Sequence, residues 1–301
     1  MIGRARRLAV LGAALGTVLA GAVTGCGSPG PRPGSSPGTS AASDAGTAPQ
    51  AVPSPSASAP GPLRSVDVPA PDGWVALSDV DPSILQDVRY AGSHNFVGRP
   101  VDGYWEAECL LPEQTARALH RVQLAAVVEG YSLKVYDCYR PMRAGRDFVA
   151  WSHDPSQQGT RAEFYPGLTQ ADLFRQGFVA GGASSHSSGS AVDVTLVALP
   201  AAGQPAWAPG QALVPCTAPV GERFPDNSID MGTGYDCFDA RSHTLDAGIS
   251  GAARENRLTL RRLMAVGGFV NYANEWWHYD LADPPLAGQY FDFPVTRDAL
   301  R

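Results

Sequence analysis

The chain has 301 residues, of which 44% are hydrophobic, and it carries 23 Lys and Arg against 29 Asp and Glu for a formal net charge of -6. That is enough apolar material for one sizeable core, which excludes a chain too polar to fold. The acidic balance argues against nucleic acid or another polyanion as partner.

The first element is a leader. Arg4, Arg6 and Arg7 precede an apolar run over residues 8–23, which is shorter than a bilayer span and reads as an export signal. The run stops at Val23, Thr24, Gly25 and Cys26, which resembles a bacterial lipobox. Residues 1–25 are then a lipoprotein signal peptide, and Cys26 is the lipidated first residue of the processed chain. An uncleaved hydrophobic anchor is the competing reading, and the Arg6-Arg7 pair also permits twin-arginine export. Residues 26–62 are dominated by Pro, Gly, Ser, Ala and Thr. They cannot bury enough surface to offset the entropy of ordering, so they read as a disordered tether. The expected location is outside the cell, lipid-anchored to the outer face of the cytoplasmic membrane, with a single domain over residues 63–301.

Within that domain Pro112 can open a helix that places Leu119, Val122 and Ala126 on one face and ends near Gly130. A strand is expected over residues 133–137, and a short helix follows Pro141 through Trp151. A second strand over residues 191–196 reads as half-buried, with Val192, Val194 and Leu196 opposite Ala191, Asp193 and Thr195. Residues 197–227, rich in Pro, Ala and Gly, read as a long loop that either lids a pocket or decorates the surface. A helix over residues 252–266 stops at Gly267-Gly268, and short strands follow over residues 269–271 and 278–281. Helices grouped beside a largely antiparallel sheet make an α+β domain.

Cys109, Cys138, Cys216 and Cys237 form an even set suited to an oxidising compartment; they allow three pairings, and sequence alone does not choose. Cys109 with Cys138 and Cys216 with Cys237 is preferred, because each bond would tie a segment carrying candidate site residues to its neighbour. A four-cysteine zinc site competes, but no close Cys-x-x-Cys pair is present.

Two segments carry the chemistry. SSHSSGSAVD, residues 184–193, and EWWH, residues 275–278, together offer two imidazoles, one carboxylate ligand and one spare carboxylate. A catalytic zinc takes three protein ligands and keeps a fourth position for water. His186, Asp193 and His278 fill that set. Glu275 is left to take a proton from the activated water and hand it to a leaving amine. Gly189 suits a tight turn between the first two ligands. A straight strand would point Glu275 and His278 to opposite faces, so a bend is expected near Trp276. Arg140 can hydrogen-bond a developing oxyanion; its plain alternative is an ion pair with a nearby carboxylate. His94, His120 and His153 read as ordinary solvated or hydrogen-bonded side chains, His243 as an outer partner of the site, and Trp276 and Trp277 as core or pocket wall.

These motifs also carry a family likeness. SSHSSGSAVDVTL, DMGTGYDCFDARSH over residues 230–243, EWWHY, DCYRP over residues 137–141 and VRYAGSHNFVGRPV nearer the start resemble the zinc D-alanyl-D-alanine dipeptidases, the type associated with vancomycin resistance. The likeness spans residues 75–293. It implies an α+β, D-Ala-D-Ala peptidase or Hedgehog-like fold with one Zn2+ per chain on His186, Asp193 and His278. It further implies Glu275 as general base and acid, Arg140 on the oxyanion, Asp236 on the free amino group of the substrate and Ser184 in the substrate pocket.

The implied reaction is hydrolysis of D-alanyl-D-alanine or a similar D,D-dipeptide, in cell-wall peptide turnover or scavenging. A D,D-carboxypeptidase acting on peptidoglycan stem peptides and a non-catalytic cell-wall-binding lipoprotein are the alternatives. Asp236 separates the first two, because a carboxylate that binds an amine rejects an acylated one. An exported site does not reach a cytoplasmic dipeptide pool, so a resistance role is not expected.

Overall fold

The architecture, given by a computed structural model that describes residues 67–301, follows from helices and strands that bury their apolar faces against one another. The expected signal peptide, Cys26 and the tether lie outside the described residues. In chain order the elements are β1 (Trp74–Ala76), α1 (Leu77–Val80), β2 (Leu85–Gln86), β3 (Leu110–Pro112), α2 (Glu113–Val128), β4 (Tyr131–Asp137), α3 (Met142–Ser152), α4 (Arg161–Phe164), α5 (Gln170–Arg175), β5 (Ala191–Ala198), α6 (Gly251–Val266), β6 (Phe269–Asn271) and β7 (His278–Leu281). The main sheet has the order β2-β4-β5-β7-β6 and is antiparallel except for the β2–β4 edge, while β1 and β3 make a separate pair. This is the expected α+β class. Among the described residues no helix is long and apolar enough to cross a membrane.

Helices α2 and α6 lay Leu119, Val122, Ala126, Leu260, Leu263 and Met264 over Leu133, Val135, Val192, Val194 and Leu196, all fully buried. Each large side chain so removed from water contributes about 1.5–3 kcal/mol, and this layer holds the sheet rigid beneath the site. The helix ends follow their signals: Pro112 precedes α2 with φ near -55°, and Gly130 and Gly268 adopt positive φ just after α2 and α6. A second core, of Tyr90, Phe96, Tyr139, Phe148 and Trp151 among others, lies around α3. The short elements β1, β2, β3, α1, α4 and α5 had no readable period in sequence, being too brief to complete one.

β5 departs from the half-buried expectation. Residues 191–197 are buried on both faces, because helices cover one and the chain after β5, with Tyr235, covers the other. Residues 199–227 contain no helix or strand and run as the expected loop. They do not line the cavity beside the candidate ligands; many of them are exposed, and a few side chains pack on the domain. Trp207 stacks on His94 at 5.3 Å, Phe224 meets the same ring edge-on at 4.2 Å, and Asp226 joins Arg89 to the buried Lys134. The loop therefore decorates the surface and is pinned to the domain at Trp207, Phe224 and Asp226. Disulfides join Cys109 to Cys138 and Cys216 to Cys237.

Candidate active site

Strand register assembles the site. β5 and β7 pair so that Asp193 lies opposite His278, and on the other side Asp193 lies opposite Asp137. Directly opposed residues of an antiparallel pair share a face, so Asp137, Asp193 and His278 form one row across the sheet. Simple alternation would put Asp137 with Leu133 and Val135 on the helix side. A β-bulge between Val135 and Asp137 shifts the register and turns Asp137 to the other face.

His186 comes from one turn of 3-10 helix, Ser185–Ser188, that ends at Gly189 with φ 69°. A Cβ at Gly189 would lie 2.5 Å from Pro112 Cδ and 2.6 Å from Trp74 Cη2, so only glycine fits this turn. The second segment bends as its chemistry requires. Glu275 N donates to Tyr272 O at 3.1 Å, the chain bends at Trp276 and Trp277, and β7 begins only at His278. Glu275 Oε2 then lies 3.8 Å from His278 Nδ1.

The three candidate ligand atoms make a near-equilateral triangle. His186 Nε2 is 3.1 Å from His278 Nδ1 and 3.3 Å from Asp193 Oδ1, and His278 Nδ1 is 3.2 Å from Asp193 Oδ1. A tetrahedral zinc with bonds of about 2.0–2.1 Å spaces its ligand atoms by about 3.3–3.4 Å, so the triangle fits one face of that tetrahedron. The outer contacts agree. His186 Nδ1 lies 2.7 Å from Cys138 O, which can only accept, so the proton sits on Nδ1 and Nε2 presents its lone pair. His278 Nε2 faces Asp280 Oδ1 at 3.4 Å, freeing Nδ1 in the same way. Asp193 Oδ1 is buried with no hydrogen-bond partner.

Charge points the same way. Burial alone would raise Asp193, but His186 and His278 outweigh it and hold the carboxyl well below the usual range. Burial alone would lower His278, but the carboxylates of Asp193, Asp280 and Glu275 around it push it up to about 10. The cluster demands positive charge, which a divalent cation between the two imidazoles and the carboxylate would supply.

A cavity of about 300 Å³ opens on these groups and is also lined by Arg140, Ser184, Asp236 and Glu275. Arg140 Nε and Nη2 donate to Asp137 Oδ2 at 2.9 and 2.8 Å, so Arg140 is both ion-paired and a cavity wall. Asp236 holds a left-handed conformation, φ 53°, accepts from Tyr90 Oη at 2.8 Å, and among the described residues has no ion-pair partner. Burial and the charge of Asp193 push its carboxyl well up. Ser184 Oγ is buried without a partner.

Residues 71–206 and 200–296 match the peptidase M15 family, described as D-ala-D-ala dipeptidase. A D-alanyl-D-alanine dipeptidase of Enterococcus faecium is 36% identical over 223 residues, which is 74% of this chain and 98% of that protein. One from Streptomyces coelicolor is 37% identical over 71% of this chain and 93% of its own length, and one from Escherichia coli is 29% identical over 73% and 92%. The chain belongs to the M15 peptidase family. As an M15 metallopeptidase it has its His/Asp/His cluster, spare glutamate and arginine on one cavity wall, which suits attack on a carbonyl and protonation of a leaving group.

The other histidines of this M15 peptidase do not join the cluster. His94 is buried between Glu163 and Arg89, His120 reaches Asp81 at 2.8 Å, His153 is exposed, and His243 lines a neighbouring cavity that shares Glu275. Trp276 and Trp277 are core, and Trp277 also faces the metallopeptidase cavity. Several partners were not picked out from the sequence, although Tyr235 lies inside the 230–243 motif. Tyr235 Oη donates to Asp193 Oδ2 at 2.9 Å, Tyr104 Oη donates to Asp137 Oδ1 at 2.6 Å, and Asp280 orients His278. A lone tyrosine in a turn carries no period or spacing that could mark it.

Proposed function

We propose that the protein is a zinc-dependent dipeptidase that hydrolyses D-alanyl-D-alanine or a closely similar D,D-dipeptide, in cell-wall peptide turnover or scavenging. His186 Nε2, Asp193 Oδ1 and His278 Nδ1 would hold the zinc. Bound there, the ion lowers the pKa of water and polarises the scissile carbonyl. Glu275 takes the proton of the attacking water and carries it to the departing amine. Arg140 donates to the oxygen that gains charge, and its bond to Asp137 keeps the guanidinium from moving. Ser184 Oγ, buried without a partner, offers a hydrogen bond to the substrate.

The observation that favours a dipeptidase over a carboxypeptidase is Asp236. A buried carboxyl with no ion-pair partner among the described residues is costly to ionise, even with Arg140 across the cavity, and a substrate ammonium supplies the missing charge. An acylated amine would leave that carboxyl unpaired. Asp236→Asn should therefore raise KM for D-alanyl-D-alanine by about 10–100-fold, the worth of a charge-assisted hydrogen bond, with zinc content unchanged. Assays on D-alanyl-D-alanine, its N-acetyl form and a stem pentapeptide test the class. Faster cleavage of the pentapeptide overturns the dipeptidase reading in favour of a carboxypeptidase, and no cleavage of any of them favours a binding lipoprotein.

The location is also a proposal: export by the leader and anchorage to the outer membrane face through lipid on Cys26. Its support is the lipobox-like run, the tether composition and the two disulfides of the domain. Cys26→Ser should move the protein from the membrane to the soluble fraction on cell fractionation. Unchanged partition would remove the anchor.

A further inference from the structure

The two oxygens of Asp193 have different surroundings. Oδ1 faces both imidazoles and is buried without a hydrogen-bond partner, whereas Oδ2 accepts from Tyr235 Oη at 2.9 Å. Arg140 Nη2 is also in reach of Oδ2, at 3.7 Å, but its shorter contact is to Asp137 Oδ2 at 2.8 Å. Tyr104 caps the remaining oxygen of Asp137 at 2.6 Å. Two tyrosines thus satisfy two carboxylates that would otherwise compete for one guanidinium. Without the Tyr235 hydroxyl, Asp193 Oδ2 would be buried and short of a donor, free to rotate toward the cation or toward Arg140.

Tyr235 is itself held firmly. Its ring stacks on Tyr136 at 4.3 Å with 17° between the planes, and meets Trp277 edge-on at 5.5 Å. Two residues on, Cys237 is bonded to Cys216 in the loop after β5, and Gly234 N donates to Cys216 O at 2.8 Å. The segment 234–237 is therefore clamped to that loop on both sides of Tyr235.

We propose that Tyr235 is a positioning residue for the metal ligand Asp193, and that the Cys216–Cys237 disulfide is the fastening that keeps it there. The loop after β5 then serves the metal site without entering its cavity. This rests on the reading of His186, Asp193 and His278 as zinc ligands.

The test is the zinc dissociation constant of the purified, disulfide-intact protein, measured by competition with a chromophoric chelator, beside KM and kcat on D-alanyl-D-alanine. Tyr235→Phe keeps the ring and its stack and removes only the donor. It should weaken zinc binding by about 10-fold or more, the usual effect of losing a hydrogen bond to a metal ligand, while saturating zinc restores most of kcat. Cys216→Ser with Cys237→Ser should weaken zinc in the same direction. Wild-type protein that binds no zinc overturns the ligand reading itself. Stoichiometric zinc in the wild type with equal affinity in Tyr235→Phe overturns the role of Tyr235 alone. Weakening in Tyr235→Phe but not in the double serine variant overturns the role of the disulfide, and if the serine variant does not fold, Tyr235→Phe still decides the main point.

Discussion

Glu275→Gln should leave zinc bound and lower kcat on D-alanyl-D-alanine by about a thousandfold or more, with KM little changed. Glutamine keeps the size and the backbone contacts of Glu275, including the donation from Asn271 Nδ2 to its carbonyl at 2.9 Å. It cannot take a proton from water or return one to the leaving amine, so both halves of the proton transfer fail together. The residue is suited to that work. Burial, with the charge of Asp193 adding and His278 opposing, pushes its carboxyl up to about 7, where a base is both ionised enough to act and basic enough to matter. A bound divalent cation favours the carboxylate, so the acid limb of kcat/KM should fall at or below about pH 7 as Glu275 takes up its proton. Elemental analysis checks the zinc and steady-state kinetics the rest; wild-type turnover in the glutamine variant would remove Glu275 from the mechanism.

Arg140→Lys should lower kcat by about a hundredfold while zinc content and KM stay near those of the wild type. The guanidinium is anchored on one edge by Asp137, packs over the rings of Tyr90 at 5.0 Å and Phe148 at 5.4 Å, and presents its remaining edge to the cavity. Lysine keeps the charge that compensates buried Asp137, so the fold is spared. It lacks the planar fork, and a point charge drawn to Asp137 cannot also donate to an oxyanion. A kcat within a few-fold of wild type would assign Arg140 to the ion pair alone. Both sequence readings of this arginine, ion pair and oxyanion donor, are compatible with one geometry, since different nitrogen edges serve each.

Much of the site could be read without coordinates. His186, Asp193, His278 and Glu275 stand out because a metal demands particular donor atoms, and glycine with a compact spacing marks the turn that presents them. The bend before His278 followed from the same demand, since a straight strand would separate base and ligand. Elements with several turns or a full alternation, such as α2, α6 and β4, announced themselves through their apolar faces. The burial of β5 on both sides did not, because its polar face is covered by a loop with no period of its own. The side chains behind the candidate site carried no period either: Tyr235 and Tyr104 lie outside any helix or long strand, and Tyr90 lies in a single 3-10 turn over Arg89–Ala91.

By itself the sequence determined the family and the larger elements and singled out the candidate donor atoms and the spare carboxylate, since each is written in residue identity and local spacing. Only the tertiary structure decided that Asp137, Asp193 and His278 share one row, that Arg140 is held by Asp137, and that the loop after β5 is fastened behind the candidate metal site rather than over it. The reason is that an element's own period records which of its residues face a core. The register between strands far apart in the chain, and a bulge that turns one aspartate to the other face, are set by packing across the whole sheet.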